Sequence, residues 1–598
     1  MSMSKKIAPI LLLLLALLVY APALRAGFVW DDRALVLRDP LIRSWHSAWE
    51  GFQHFLFTDA SASDFYRPLQ RLSYLLDYAA FVFAPAGYHL VSILWHATAA
   101  VALFFFADEL LAFCQVEPAR RAPVALLAAL IWMVHPVQSA AVAYVAGRAD
   151  PLAAAFGFLT LFLGLRMLRA SDAKKWALGI GASFYLLASS LSKEMGLLFL
   201  VLWLIIVLAH RHRAEFWRAL GMVAAVLVVY LSLRLPAEHI APPPTSSPAP
   251  LLVRPIVVAR AFAEYAGLLL FPAHLHMDRD VETHPFGFVN ASLEAASWRE
   301  LQTLLGLVLI ALAIYALWRA RARRAIFLPL LLALVSYLPI SGLVILNATV
   351  AEHWLYLPSA FLFLGTVAAL DSLGARWHKV GWICLTISVV CLAGRTFVRT
   401  FDWKDQRTFV TRTIAEGGDS PRMLINLGAL ELNGGNLTAA RQALEKALAK
   451  EPGNPRALLN LAAVAMQQRD FANARQLLAK VNEPPELEAR AQESLAVLEN
   501  RETGKVDLLR LRLAARLGPT NWAIEKRYIQ ALADLGSPDR AIAELKTCIA
   551  VAPYRAESWE MMSELLQRIG RPNEAALALA EAETDDVHLH EHQPDPHR

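Results

Sequence analysis

Charge is scarce in this chain. Asp, Glu, Lys and Arg make up 18% of its 598 residues and nearly cancel, leaving a formal net charge of +5. That balance gives no support for a nucleic-acid partner, and none is expected. Cysteine is scarcer still. Cys114, Cys384, Cys391 and Cys548 show no metal-ligand spacing. Three of them sit in or beside apolar runs, which argues against a disulfide framework. What is abundant is apolar surface: 57% of residues are hydrophobic and the mean hydropathy is +0.41. A soluble enzyme does not carry so much; a polytopic membrane protein with a soluble appendage does.

The basic start, Met1 to Lys6, leads into Ile7–Leu24, whose 18 residues span about 27 Å as a helix, close to the ~30 Å hydrocarbon core. Ala23-Leu24-Arg25-Ala26 has a faint cleavage-site look. An uncleaved signal anchor is the expectation, because ten more apolar runs follow, near 88–113, 123–141, 150–166, 176–192, 196–210, 218–234, 302–318, 326–345, 355–370 and 379–395. Together they predict about eleven spans. Lys5-Lys6, Arg120-Arg121, Arg166 to Lys175, Arg211 to Arg218, Arg319 to Arg324 and Arg376 to Lys379 all fall on one side, which the positive-inside rule makes cytoplasmic. Residues 256–272 are apolar but carry Arg260 and Glu264 one turn apart, so an interfacial or half-inserted outer helix is expected there. The proline-rich run Pro236 to Pro250 reads as an outer loop, a linker or a flap.

Beyond residue 400 a 34-residue repeat appears. Asn426-Leu427 returns as Asn460-Leu461, Ala440-Arg441 as Ala474-Arg475, Pro421 as Pro455 and Ala541 as Ala575. This is the period of tetratricopeptide helix pairs, four or five of them over 418–584, placed outside the cytoplasm by the last span and suited to a protein partner. The expected fold is therefore all-α. A membrane bundle over 1–400 has outer loops 25–87 and 235–300, a linker covers 401–417, and the repeat solenoid follows. The tail 585–598, with His588, His590, His592 and His597, reads as solvated and disordered.

The dense polar clusters of the membrane half all fall on the outer side. They are Asp31-Asp32, then Asp64-Phe65-Tyr66-Arg67 with Asp77, His135-Pro136, Gly147-Arg148-Ala149-Asp150, Ser192-Lys193-Glu194, His274 to Arg279 including Asp278, and Glu352-His353. Singly, each is an ordinary span end. Together they suit a site for a charged substrate at the membrane surface. Moving a sugar from a lipid phosphate to a hydroxyl needs a carboxylate to take the hydroxyl's proton. It also needs cations for the phosphate, whose charge grows as the glycosidic bond breaks. Asp31 and Asp32 supply the first, with Arg67, Arg148, Lys193 and His353 for the second. A divalent cation, Mg or Mn, held by Asp31 or Asp32 is another way to balance that charge.

In their order, several segments resemble the polyprenol-dependent GT-C glycosyltransferases, above all the transmembrane and tetratricopeptide-repeat-containing O-mannosyltransferases and their bacterial relatives. They are Phe28 to Asp32, Tyr66-Arg67-Pro68-Leu69, Tyr88-His89-Leu90 with His96, His135-Pro136-Val137, Gly147 to Asp150, Ser192-Lys193-Glu194 with Gly196, and Leu355-Tyr356-Leu357-Pro358. The resemblance implies an inverting transferase in the bacterial inner membrane, with a polyprenyl-phosphate sugar donor and a periplasmic acceptor hydroxyl, protein Ser or Thr by preference. It implies a first-loop aspartate, Asp31 or Asp32, as base, and Arg67, Arg148 and Lys193 as phosphate or donor contacts. Tyr66, His135, Asp150, Glu194, Asp278 and Glu352 would support them. His89 and His96, two turns apart on one helix face, are expected inside the bundle.

The pattern departs at Ala140, where the family commonly has glutamate, and at Ser92, where asparagine is usual. Ala140 keeps a rival reading open: a non-catalytic membrane-anchored scaffold whose repeats assemble an envelope complex. A transporter would need polar groups near the midplane rather than at one surface.

Overall fold

A computed structural model describes residues 3–57, 65–238, 253–279, 281, 292–344, 346, 348–586 and 588. Most of the proline-rich loop and nearly all of the histidine tail lie outside these residues. The described chain is helical throughout, apart from one isolated bridge pairing Arg279 with Val350. It divides into two compact units. The first comprises Met1–Arg33, Asp64–Gln70 and Ala84–Phe409; the second comprises Ala34–Ser63, Arg71–Phe83 and Val410–Arg598.

In the first unit every predicted apolar run is a helix, but the runs are unequal. Among the described residues six helices are long and apolar enough to cross a membrane, or seven if Pro118–Val134 and Pro136–Val142, bent by 56°, form one broken span. Three shorter apolar helices, Lys6–Val19, Glu194–His210 and Arg324–Ile340, account for further runs. Asp172–Ser192 is long enough at 21 residues but diluted by lysine, glycine and serine. These helices, with Asp172–Ser192, correspond one for one to the eleven apolar runs read as spans. The helix Arg254–Leu270 is not among them. Its charges turn to protein: Arg260 bonds Thr303 at 2.9 Å and Glu300 at 3.0 Å, and Glu264 pairs with Arg279.

The second unit contains five antiparallel helix pairs, from Pro421–Asn433 with Leu437–Lys450 to Ala556–Arg568 with Pro572–Asp585. Proline occupies the first helical position of Pro421–Asn433, Pro455–Gln467 and Pro538–Val551, where a missing N–H costs nothing. Ala440, Ala474, Ala541 and Ala575 are buried where paired helices close on each other. The middle pair, Pro485–Thr503 with Leu508–Leu517, has an overlong first helix, which explains why the 34-residue period fades there.

The first outer loop does not stay whole. By compactness, 34–63 and 71–83 fall in the unit that holds the repeats. Arg71 is the reason within the loop: it is buried against Asp39 at 2.9 Å and donates to the carbonyls of Gly51, His54, Phe55 and Leu56. Arg43 and Tyr78 carry the loop onto the last repeat, meeting Asp586 at 3.4 and 2.8 Å.

Candidate active site

The segment Phe28 to Asp32 is a tight turn held from several sides. The Phe28 ring meets Tyr88 edge-on at 5.2 Å and the Trp30 ring meets Phe409 at 5.1 Å. Trp30 takes a left-handed backbone with φ +50°, rare for a large side chain. Its N–H donates to Gln406 Oε1 at 2.6 Å, which holds that conformation in place.

This turn separates two aspartates that the sequence left equivalent. Asp32 is fully buried, and its two oxygens accept from the Val29 N–H at 3.1 Å and the Ala146 N–H at 2.7 Å. Burial pushes its carboxyl up to about 8, opposed by those amides and reinforced by the charge of Asp31. Asp31 stays half-exposed. Its N–H donates to the Tyr144 hydroxyl at 3.1 Å, and that hydroxyl in turn bonds the Asp31 side chain. Burial first, then the two aspartates, hold the Tyr144 phenol well above its usual range, so it remains a donor. Its ring stacks on Trp403 at 5.3 Å.

The turn around Gly147 links this aspartate pair to a charged cluster. Ala146, whose N–H serves Asp32, accepts from Gln70 Nε2 at 2.8 Å through its carbonyl. A Cβ on Gly147 would lie 2.4 Å from the Ala140 carbonyl oxygen, so only glycine fits. Three residues before Gln70 stands Arg67; four after Ala146 stands Asp150. Arg67 donates Nε and Nη2 to the Glu194 carboxylate, the shortest bond being 2.7 Å, with its guanidinium 4.6 Å from the Phe65 ring centroid. Lys193 Nζ lies 2.7 Å from both Asp150 oxygens. Gly196 allows the following turn to close, since a Cβ there would meet the Ser189 carbonyl oxygen at 2.0 Å. His353 sits in the field of Lys193 and Arg67, and its Nδ1 has no hydrogen-bond partner among the described residues.

The remaining predicted residues do structural work. Arg148 is fully buried and spends its donors on Ser92 Oγ at 3.0 Å and the Tyr88 carbonyl at 2.6 Å, so the phosphate contact expected of it is not what its geometry offers. Ser92, the departure from asparagine, is that partner. His135 accepts from the Val137 N–H at 3.3 Å and bonds the Leu269 carbonyl at 3.1 Å. His96 bridges the Tyr356 hydroxyl at 2.6 Å and the Met133 carbonyl at 3.0 Å inside the bundle. Tyr66 is buried against Tyr230. Glu352 accepts from the His276 N–H at 2.5 Å and from Arg279 at 3.4 Å, tying the loop that carries Asp278 to the segment before Tyr356.

Among the described residues no three His, Cys, Asp or Glu side chains converge as a cation site. Both Asp32 oxygens are taken by amides, so of the two aspartates it is Asp31 that is placed to hold the Mg or Mn considered from sequence. Tyr144, Gln70, Trp403 and Gln406 were not anticipated; the only hint was an aromatic residue in the polar stretch Asp402-Trp403-Lys404.

Residues 432–498 match the tetratricopeptide repeat family model. The chain is 23% identical over 457 residues to protein O-mannosyl-transferase F38B6.6 of Caenorhabditis elegans, covering 74% of this chain and 62% of that one. It is 23% identical to protein O-mannosyl-transferase TMTC3 of Homo sapiens, covering 72% and 50%. The chain thus spans less than two thirds of the length of these relatives. The crystal structure of ArnT from Cupriavidus metallidurans bound to undecaprenyl phosphate aligns over 92% of this chain and 80% of its own, at 14% identity and a TM-score of 0.34. With its ordered motifs in the membrane half and its repeats behind them, the chain resembles the protein O-mannosyl-transferases.

Proposed function

We propose that this protein is an inverting membrane glycosyltransferase that moves a sugar from a polyprenyl-phosphate donor to a hydroxyl acceptor on the periplasmic side, protein Ser or Thr by preference. The observation that carries the reading is the division of labour in the first loop. Asp32 is locked by the Val29 and Ala146 amides, while Asp31 is half-exposed and oriented by Tyr144. Asp31 is therefore the base. It takes the proton of the acceptor hydroxyl as that oxygen bonds to the sugar C1, and the C1–O bond to phosphate breaks, leaving polyprenyl phosphate.

Arg67 and Lys193 are each paired with a carboxylate, so the cluster is close to neutral without substrate. A phosphate entering it would compete with Glu194 for the Arg67 fork and draw on Lys193 and His353, which strengthens its hold as leaving-group charge grows. The repeats would present the protein acceptor.

The test is transfer from synthetic polyprenyl-phosphate sugars to a peptide pool by the purified full chain. Asp31→Asn should lose transfer while its folded yield equals wild type. Full activity in that variant would defeat the proposal. The alternative, a non-catalytic scaffold, draws on Ala140. It requires that deleting 418–598 remove the cellular phenotype while Asp31→Asn behaves as wild type.

A further inference from the structure

The end of the membrane bundle remote from Asp31 contains a cavity of about 500 Å³. It opens at the start of Pro118–Val134, whose 17 residues place it roughly 25 Å from His135 at the other end. The ends of Pro85–Phe113 and Tyr356–Asp371 and the start of Arg324–Tyr337 form the rest of its rim.

Three arginines line it. Arg120 is engaged by Asp371 at 2.7 Å, and that carboxylate also meets His378 at 3.1 Å. Arg323 donates to Ser372 Oγ at 3.0 Å, while Arg324 makes neither hydrogen bond nor ion pair among the described residues. Glu117 and Asp371 are the only acids in the lining, so one positive charge is left over. The positive ends of two helices add to it, since Pro118–Val134 and Arg324–Tyr337 both begin at the cavity. Arg121, Arg321, Arg376 and Lys379 belong to the same basic loops. The inner wall is apolar, from Leu111, Val124, Ile326 and Ala368. On another face of Pro118–Val134 runs a second groove of about 330 Å³, lined by Phe104, Leu127, Leu130, Trp382 and Val389.

We infer that this cavity binds the phosphate headgroup of an anionic membrane phospholipid, with acyl chain along the neighbouring apolar groove. A phosphate is the chemistry that two helix N-termini and the Arg324 guanidinium beside them recognise. The apolar inner wall and the groove beside it favour a lipid over a soluble anion.

Native mass spectrometry of the full-length protein in detergent tests this, with phosphatidylglycerol, phosphatidylcholine and inorganic phosphate added separately. Phosphatidylglycerol should be retained in preference to phosphatidylcholine, and Arg323→Ala and Arg324→Ala should each weaken retention about fivefold. Inorganic phosphate should neither bind nor displace the lipid. Labelling of Cys114, which lines the cavity, should slow when phosphatidylglycerol is present. Equal retention of the two lipids, or undiminished retention in the Arg323→Ala/Arg324→Ala double variant, would overturn the inference. So would displacement by inorganic phosphate, which would make the site one for a soluble anion. Should the double variant fail to fold, Ala325→Phe fills the cavity with the arginines intact. It should lose phosphatidylglycerol; undiminished retention there would equally refute the inference.

Discussion

Lys193 reaches both oxygens of Asp150 at 2.7 Å, and each side chain is only 6% exposed. A buried pair of this kind adds little net stability, but removing one partner strands the other charge at a cost of about 3–5 kcal/mol. Lys193→Met and Asp150→Leu should each lower the thermal unfolding midpoint sharply, and the double variant should recover most of the loss. Transfer activity should stay absent in the double variant, because the phosphate would have lost a cation. A double variant as unstable as either single one would show that the pair is not insulated from its neighbours.

Arg67 holds Glu194 through a fork, with Nε and Nη2 both donating. Lysine keeps the charge and loses that geometry. Arg67→Lys is expected to raise KM for the polyprenyl-phosphate donor about tenfold, with little change in folded yield, since each charge-assisted bond is worth roughly 1.5–3 kcal/mol. A rise confined to the acceptor KM would place Arg67 elsewhere in the reaction.

Much of this was legible in sequence because it rests on periodicity. The 34-residue spacing gave the helix pairs wherever both helices kept standard length, and lost them at Pro485–Thr503, where the first helix runs long. Apolar runs gave the helices of the membrane half, but hydropathy does not see the break at His135-Pro136. In the site, the sequence singled out charged residues that the fold pairs with one another, but not which pairs with which. Arg67 and Glu194 are 127 residues apart and Lys193 and Asp150 are 43 apart, distances over which no local rule operates. Arg148 shows the limit most clearly: its neighbour Ser92 is 56 residues away, and without that contact a buried structural arginine looks like a free cation. Asp31 and Asp32 could be told apart only by the amides of Val29 and Ala146.

Arg71 satisfies its guanidinium within the second unit, through Asp39 and four backbone carbonyls, at 2% exposure. The loop 39–56 buries Leu41, Ile42, Phe55 and Leu56, and Arg71 is what ties its backbone carbonyls together. Arg71→Ala should unfold that loop locally and expose the carbonyls it served, at a cost of several kcal/mol, about 1.5–3 for each charged bond lost before water replaces part of it. Hydrogen exchange should show fast labelling over 39–56 with protection kept in Pro421–Asn433. Unchanged protection of the loop would mean that its packing against the last repeat, through Arg43, Tyr78 and Asp586, suffices alone.

Asp32 makes a prediction about pH whose sign is fixed by its burial. In the folded chain its carboxyl holds the proton up to about pH 8, whereas an unfolded aspartate releases it near pH 4. Between those values unfolding releases a proton, so stability falls as pH rises, by at most about 1.4 kcal/mol per pH unit, and levels off above 8. Asp32→Asn removes the titration. Its amide opposes an NH2 to one of the two backbone donors, so the variant should be less stable at pH 5, with a midpoint that no longer declines toward pH 8. Asp31→Asn should show the reverse pattern: wild-type pH dependence of stability and no transfer. The measurement is the unfolding midpoint of wild type and both variants from pH 5 to 8. If the wild-type midpoint rises over that range relative to Asp32→Asn, the buried carboxyl is ionised in the fold. The Val29 and Ala146 amides would then outweigh burial, and the two aspartates would share one negative field at the acceptor.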